Sequence, residues 1–233
     1  MRKVALLLAV VLATSVFALA GACPTTTYDQ YLTSGFSCSI GDQTYQDFAY
    51  TGTSNPPGFQ IPAAGIGVTP INTPGDFGLQ WSAGWGASTA SGILTQDSLF
   101  QFAVTSSPNP MTDLSLSIAG VGFQGTGSVN LDETACLGAM LPSCTGGTIV
   151  TLSVFANSQG QQLFDQVNFA GVNLISVSKD LLVSAGTNGS AEVSLVTDQF
   201  SEGSGTVPEP GTLSMLGAGI LAAAGFARRK FNL

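Results

Sequence analysis

Short runs of alternating apolar and polar residues fill most of the chain between residues 95 and 200. An alternation of period two is typical of β-strands that bury one face. The apolar positions of the clearest runs are Phe100, Phe102 and Val104; Leu114, Leu116 and Ile118; Val150, Leu152 and Val154; and Ala191, Val193 and Leu195. Turns rich in Gly, Pro and Asn separate these runs, and the whole pattern predicts about ten strands.

Another run carries a charge on its apolar face. Ile175, Val177, Leu181 and Val183 share one side of a predicted strand, and Lys179 is the sole interruption on that side.

Two local signals refine the strand pattern. The apolar phase shifts across Ala119-Gly120, as a β-bulge would shift it. Asn188-Gly189 lies between two alternating runs and predicts a hairpin, because both residues tolerate a positive φ.

The pattern predicts an all-β fold, an antiparallel, jelly-roll-like β-sandwich that occupies residues 23–200 as one domain. A short N-terminal helix is predicted within residues 26–33, with Tyr28, Tyr31 and Leu32 on one side. A parallel β-helix is the main alternative, but the chain shows no repeat of fixed period.

The N-terminal segment has the composition of an export signal. Arg2 and Lys3 precede an uncharged apolar run, and small residues follow at Ala20 and Ala22. This pattern predicts a signal peptide over residues 1–22, cleaved by signal peptidase after one of these two alanines. A permanent membrane anchor is the alternative, although the run is short for a hydrocarbon core of ~30 Å. Lipidation of Cys23 is a second alternative, although Ala20 replaces the Leu-like residue of a lipobox.

The C-terminal segment predicts a membrane span. Residues 201–206 are small and polar, which predicts a flexible linker. Residues 211–227 are uncharged and mostly apolar or small, and the basic tail 228–230 follows them. A helix of this length spans roughly 25 Å, so we expect a transmembrane helix with its basic end in the cytoplasm. A buried C-terminal helix is the alternative.

The motif Val207-Pro208-Glu209-Pro210, followed by an apolar segment and Arg228-Arg229, resembles the PEP-CTERM sorting signal. The resemblance covers residues 207–233. It implies that an exosortase-type processing enzyme recognises the Pro-Glu-Pro element, and that the inner membrane holds the protein transiently. It further implies delivery to the cell surface or the extracellular matrix, with exopolysaccharide as a partner.

The domain body also resembles an uncharacterised group of PEP-CTERM proteins from soil bacteria. The similar segments are residues 37–42, 48–50, 79–81, 97–99 and 125–127. This second resemblance supports the sandwich and the export route, and implies no activity.

Charge excludes one class of partner. Between Cys23 and Thr206 the chain has thirteen acids and one lysine, a net charge of −12. Phosphate binding needs clustered Lys and Arg, so nucleic-acid binding is excluded. The acids are scattered along the chain and are expected to form a solubilising surface coat.

The four cysteines are expected to form disulfides, since the chain is exported. Cys136 and Cys144 flank a short loop and are expected to pair, which leaves Cys23 to pair with Cys38. Zinc is the alternative, but the chain has no histidine and neither pair has two-residue spacing. No metal and no cofactor are expected.

The sequence offers little catalytic chemistry. Without histidine there is no Ser-His-Asp or Cys-His machinery, and the mature domain has no arginine. We expect no enzymatic activity. A glycoside hydrolase that uses only carboxylates is an alternative, with candidate acids Asp42, Asp47, Asp97, Asp132, Glu133, Glu192 and Glu202. Asp132-Glu133 is also a candidate fragment of a calcium site, with a solvated loop as the plainer interpretation.

Two tryptophans suggest an alternative function. Trp81 and Trp85 stand four apart, so on one strand they share a face and could stack against sugar rings. These candidate glycan contacts would define a carbohydrate-binding module. Burial in the core is the competing interpretation for such large side chains.

Overall fold

The structure is a computed structural model that describes residues 20–203. Most of the predicted signal peptide (1–19), the end of the predicted linker (204–206) and the predicted sorting signal (207–233) lie outside the described residues. Within residues 20–203, no helix is long and apolar enough to cross a membrane.

The described residues form fifteen strands, numbered in chain order. Their bounds are β1 (Gly21–Ala22), β2 (Thr26–Thr27), β3 (Ser37–Ile40), β4 (Gln43–Asn55), β5 (Gly67–Thr73), β6 (Asp76–Thr89), β7 (Thr95–Ser106), β8 (Met111–Ala119), β9 (Gly122–Gly125), β10 (Ser128–Leu137), β11 (Thr148–Asn157), β12 (Gly160–Gln162), β13 (Phe164–Val172), β14 (Leu174–Ser184) and β15 (Gly189–Ser201). A short helix α1 (Tyr28–Tyr31) and a 3-10 turn (Ala63–Gly65) complete the fold.

Two sheets face each other. The first has the order β1-β3-β4-β7-β14-β10-β11-β12, and the second has the order β13-β8-β15-β6-β5-β2, with β9 also paired to β15. The predicted all-β, sandwich-like fold is confirmed. Within it, the order β6-β15-β8-β13 in one sheet and β7-β14-β10-β11 in the other is the strand order of a jelly roll.

The alternating runs place their apolar residues in the core, as predicted. Phe100, Phe102 and Val104 of β7 are buried, and so are the three apolar residues predicted for β8. Helix α1 lies where the sequence predicts a helix, and it buries Tyr28 and Tyr31. The Tyr28 ring is 5.5 Å from that of Phe100, centre to centre. The helix therefore closes one part of the core with aromatic side chains.

The predicted hairpin at Asn188-Gly189 is wrong. Strands β14 and β15 belong to opposite sheets, so the connection between them crosses from one layer to the other. Gly186, with a φ of 63°, provides the left-handed conformation of this connection. The Asn188 N–H donates to Oγ1 of Thr126 at 3.0 Å, which ties the connection to a neighbouring loop.

The predicted bulge at Ala119-Gly120 is a strand break. Strand β8 ends at Ala119, and β9 begins at Gly122, while both pair with β15. The register shift lies instead between β15 and β6, where Val193 pairs with Trp85 and Leu195 pairs with Ser82. Leu195 is consequently only half-buried, and Val196 takes the buried position that the alternation predicts for Leu195.

Both expected disulfides are present in the structure. Cys23 is bonded to Cys38 and attaches the start of the domain to β3. Cys136 is bonded to Cys144 and closes the loop that follows β10. The two residues before Cys23 form β1, which pairs in parallel with Cys38 and Ser39.

The domain extends beyond its predicted C-terminal boundary. Ser201, assigned by composition to the linker, is the last residue of β15. The N–H of Glu202 donates to the carbonyl of Gly75, and the N–H of Gly203 donates to the carbonyl of Pro110, both at 3.0 Å. These bonds hold the first half of the predicted linker against the sandwich.

Candidate functional site

Three charged side chains meet in the middle of the sandwich. Lys179 lies on β14, and Glu133 lies directly opposite it on the neighbouring strand β10. Asp198 reaches the same point from β15 in the other sheet. All three side chains are fully buried. We call Lys179, Asp198 and Glu133 the buried triad.

Alternation along each strand explains why these residues point inward. Lys179 follows Val177 on the buried face of β14, and Asp198 lies between the buried Val196 and Phe200 on β15. Glu133 occupies the next inward position after Leu131 on β10. Each charged residue therefore replaces an apolar residue at a core position.

The triad makes close internal contacts and has no other polar partners. The Nζ of Lys179 is in direct contact with Oδ2 of Asp198 and lies 3.3 Å from Oε2 of Glu133. Within the described residues, the carboxylate oxygens of Glu133 and Asp198 accept no hydrogen bond from the backbone or from a side chain outside the triad. Burial of charge is costly unless the charges are paired, so the three groups depend on one another.

Aromatic rings enclose the amine of the triad. The Nζ of Lys179 lies 4.3 Å from the centre of the Trp81 ring and 5.7 Å from that of Phe102. A cation over an aromatic face is attracted by the quadrupole of the ring, most strongly by Trp. These rings also exclude water from the triad.

Electrostatics favour one neutral carboxyl in the triad. Burial, and then the charge of Asp198, raise the pKa of Glu133 well above its ordinary value, while the ammonium of Lys179 opposes the shift. This shift favours the protonated form of Glu133, which can donate a proton from one oxygen and accept one at the other. In that form of Glu133, the triad holds one positive charge, on Lys179, and one negative charge, on Asp198.

The expectation that all acids coat the surface is wrong for Glu133 and Asp198. The hypothesis of a calcium site at Asp132-Glu133 is also wrong, because consecutive strand residues point to opposite faces. Asp132 is exposed, whereas Glu133 is buried. Among residues 20–203, no three His, Cys, Asp or Glu side chains are grouped as metal ligands.

The hypothesis of a glycan platform at Trp81 and Trp85 is also wrong. The two residues do share a face of β6, but it is the inner face, and their exposed fractions are 0% and 1%. Trp85 donates from Nε1 to the hydroxyl of Ser98 at 3.1 Å. Trp81 lies over Lys179. Neither indole can reach a sugar in solution.

Two further acid pairs lie outside the core. Burial, together with a hydrogen bond to Asp42 and its charge, raises the pKa of Glu202 to about 7. Asn109 donates from Nδ2 to Oδ2 of Asp42 at 2.9 Å. Burial and the charge of Asp180 on the adjacent strand raise the pKa of Asp97 to about 6.

The candidate hydrolase acids do not converge in the clefts of the described surface. Three such clefts each contain a single carboxylate, which is Glu192 in two of them and Asp47 in the third. Asp42 and Glu202 are neighbours, since Asp42 raises the pKa of Glu202, but neither residue lines any of these three clefts.

Comparison with known proteins identifies the C-terminal segment. Residues 206–230 match the family described as the PEP-CTERM protein-sorting motif. The chain thus carries a PEP-CTERM sorting motif, as its resemblance to that signal predicts. The match indicates export with a transient stage in the membrane. No curated protein sequence matches the chain.

Three solved structures show weak similarity to the fold. TmCBM61 in complex with β-1,4-galactotriose has 8% identity and a TM-score of 0.30, with 64% of this chain and 86% of that chain covered. The Glycosylation Associate Protein (Gap123) complex from Streptococcus agalactiae has 10% identity and a TM-score of 0.26, with 65% of this chain and 26% of that chain covered. The enzymatically active domain of tailspike protein 4 from bacteriophage CBA120 has 15% identity and a TM-score of 0.23, with 68% of this chain and 19% of that chain covered. Similarity at this level indicates no shared ligand.

Proposed function

We propose that this chain is an exported, non-enzymatic protein that its PEP-CTERM signal delivers to the cell surface or the extracellular matrix, where it associates with exopolysaccharide. The observation that carries this proposal is the match of residues 206–230 to the sorting motif. The two disulfides of the domain support it, since disulfides persist in oxidising compartments outside the cytoplasm.

The sorting pathway has three steps. Signal peptidase removes residues 1–22, or 1–20 if it cleaves after Ala20. Residues 211–227 then hold the protein in the inner membrane, with Arg228 and Arg229 on the cytoplasmic side. Finally, an exosortase-type enzyme recognises residues 207–210 and releases the domain.

The position of Gly203 bears on the last step. Gly203 is hydrogen-bonded to the sandwich, and three residues separate it from Val207. Three extended residues span about 10 Å. The processing enzyme therefore has to act within about that distance of the folded domain.

The surface of the domain suits a neutral polysaccharide rather than a phosphate polymer. Lys179 is the one basic residue among residues 20–203, and it is buried. The described surface consequently offers hydroxyl, amide and carboxylate groups but no cation. Binding would rely on many weak polar contacts. Because Trp81 and Trp85 are buried, the alternative of a carbohydrate-binding module loses its aromatic platform.

The test follows the full chain in its own host, with and without residues 207–233. We expect the intact chain to be shortened in the inner membrane and to reach the surface or the matrix in that shortened form, and the truncated chain to be secreted without attachment. Replacement of Pro208-Glu209-Pro210 by alanines is the matched control, because it preserves the apolar segment and should trap the protein in the membrane. Equal size and location of all three forms would refute the proposal.

A further inference from the structure

The buried triad brings together the reactants of an amide condensation. A primary amine, Lys179, is in direct contact with a carboxyl group, Asp198, and a second carboxyl group, Glu133, lies 3.3 Å from the amine. We propose that Lys179 and Asp198 become joined by an intramolecular isopeptide bond after the domain folds, with Glu133 as the residue that transfers the proton.

The condensation is balanced and needs no co-reactant. Transfer of one proton from Nζ to the Asp198 carboxylate gives a neutral amine and a carboxylic acid. The lone pair of Nζ attacks Cγ of Asp198 and forms the N–C bond. Glu133 accepts a proton from the nitrogen and donates one to the departing hydroxyl of Asp198, whose C–O bond breaks. One water molecule leaves, Glu133 is regenerated, and no atom is oxidised or reduced.

Glu133 is suited to this transfer by its position and protonation. It lies 3.3 Å from the amine of Lys179 across the β10–β14 pair, and it is close enough to Asp198 for that charge to raise its pKa. As a carboxylic acid it donates from one oxygen and accepts at the other in the same event. Asp132, its neighbour in sequence, is on the opposite face of β10 and cannot take its place.

The fold supplies the driving force for the condensation. The two sheets hold the amine and the carboxyl group in contact, and positioned neighbours react as if at very high effective concentration. Trp81 and Phe102 keep water out, which opposes hydrolysis of the product. The amide also replaces a buried ion pair whose carboxylate has no hydrogen bond from outside the triad, so it removes an electrostatic cost.

The bond would join the two layers of the sandwich. Strand β14 lies between β7 and β10, whereas β15 lies between β6 and β8 in the opposite sheet. A covalent link between these inner strands would prevent the sheets from separating. For a protein exposed outside the cell, such a link would resist pulling forces and proteolysis.

The natural protein provides a direct test. Lys179 is the sole trypsin site between Lys3 and Arg228, and cleavage after glutamate separates residues 134–192 from residues 193–202. In the unfolded, reduced protein we expect trypsin to leave Lys179 uncut. We also expect the two glutamate-cleavage peptides to remain joined, with a mass lower by one water, about 18 Da. Separate peptides, including a pair in which Asp198 alone has lost water as a succinimide, would overturn the proposal.

Variants test the roles within the triad. We expect Lys179→Met and Asp198→Ala each to abolish the link, because each removes one of the two groups that it joins. Glu133→Gln keeps both of these groups, and we expect it to leave Lys179 unlinked and sensitive to trypsin. Asp132→Asn, an exposed change on the opposite face of β10 that keeps every glutamate cleavage site, should keep the linked peptides. A link that forms fully in Glu133→Gln would refute the role of Glu133. The peptide map of the natural protein decides the bond itself even if a variant does not fold.

Discussion

The ammonium of Lys179 lies 4.3 Å from the centre of the Trp81 ring, and the two residues project from opposite sheets. Trp81, which the sequence predicts as a candidate sugar contact, thus encloses a buried charge. Its replacement should affect the stability of the domain rather than a glycan surface.

Trp81→Ala should lower the free energy of unfolding by about 3–5 kcal/mol, because it removes a fully buried indole and opens the triad to water. Denaturant unfolding of the released domain measures this loss. Phe164→Ala is the matched control, since that aromatic side chain is 55% exposed and its removal should cost no more than about 0.5 kcal/mol. Comparable losses for both variants would contradict the assignment of Trp81 to the core.

Asp198→Ala should be destabilising by about 3–5 kcal/mol, because it leaves the charge of Lys179 buried without its closest partner. The double variant Lys179→Met, Asp198→Leu should recover most of that loss by placing apolar groups of similar size in the same space. Neither protein can form the proposed amide, so the difference between their unfolding midpoints reports the unpaired charge. Equal midpoints would show that the charge is not desolvated.

Stability should increase as the pH falls from 8 to 5. The pKa of Glu202 is raised in the folded domain from an ordinary value of 4.5 to about 7, so the folded state binds a proton more tightly than the unfolded state. The pKa of Asp97, raised to about 6, acts in the same direction. The stabilisation is complete below the unfolded values and disappears as the pH rises through the folded ones.

Unfolding midpoints at pH 5 and pH 8 measure this dependence. Glu202→Gln should weaken it, because an uncharged amide replaces the protonated carboxyl at every pH. Glu192→Gln, which changes a carboxylate outside these pairs, should leave it intact. A higher midpoint at pH 8 than at pH 5 in the natural protein would contradict the prediction.

Loss of the Cys23–Cys38 disulfide should cost about 3 kcal/mol, because the bond joins residues 15 apart in sequence. The double variant Cys136→Ser, Cys144→Ser is the control, and its shorter loop of 8 residues should cost slightly less. Thiol labelling of the exported protein should find no free cysteine. An acyl group on Cys23 would show that lipidation, and not this disulfide, occupies its sulfur.

Strand periodicity predicts much of the fold, because burial of one face of a strand is a local property. The alternation in β7 and β8 gives the correct buried residues, and the inward position of Lys179 follows from that of Val177 and Leu181. Proximity in sequence likewise identifies the pair Cys136 and Cys144.

The partners of Lys179 could not be predicted in the same way. Asp198 meets it across the gap between the sheets, and such a contact depends on which strands cross from one layer to the other. A two-residue turn at Asn188-Gly189 would pair Lys179 with Asp198 side by side in one sheet, whereas the structure brings them together from opposite sheets. Glu133 and Asp198 each stand two residues from a buried apolar residue of the same strand, which predicts that they point inward. The scatter of the acids along the sequence obscured this signal.

The burial of Lys179 leaves carboxylates as the only charged side chains on the described surface of this domain, with no lysine or arginine side chain to meet an opposite charge. A matrix polymer rich in uronic acid or sulfate would be repelled by that surface at low ionic strength. Adhesion to such a polymer would need divalent ions as bridges and would be reversed by a chelator, whereas adhesion to an uncharged glucan or galactan would not.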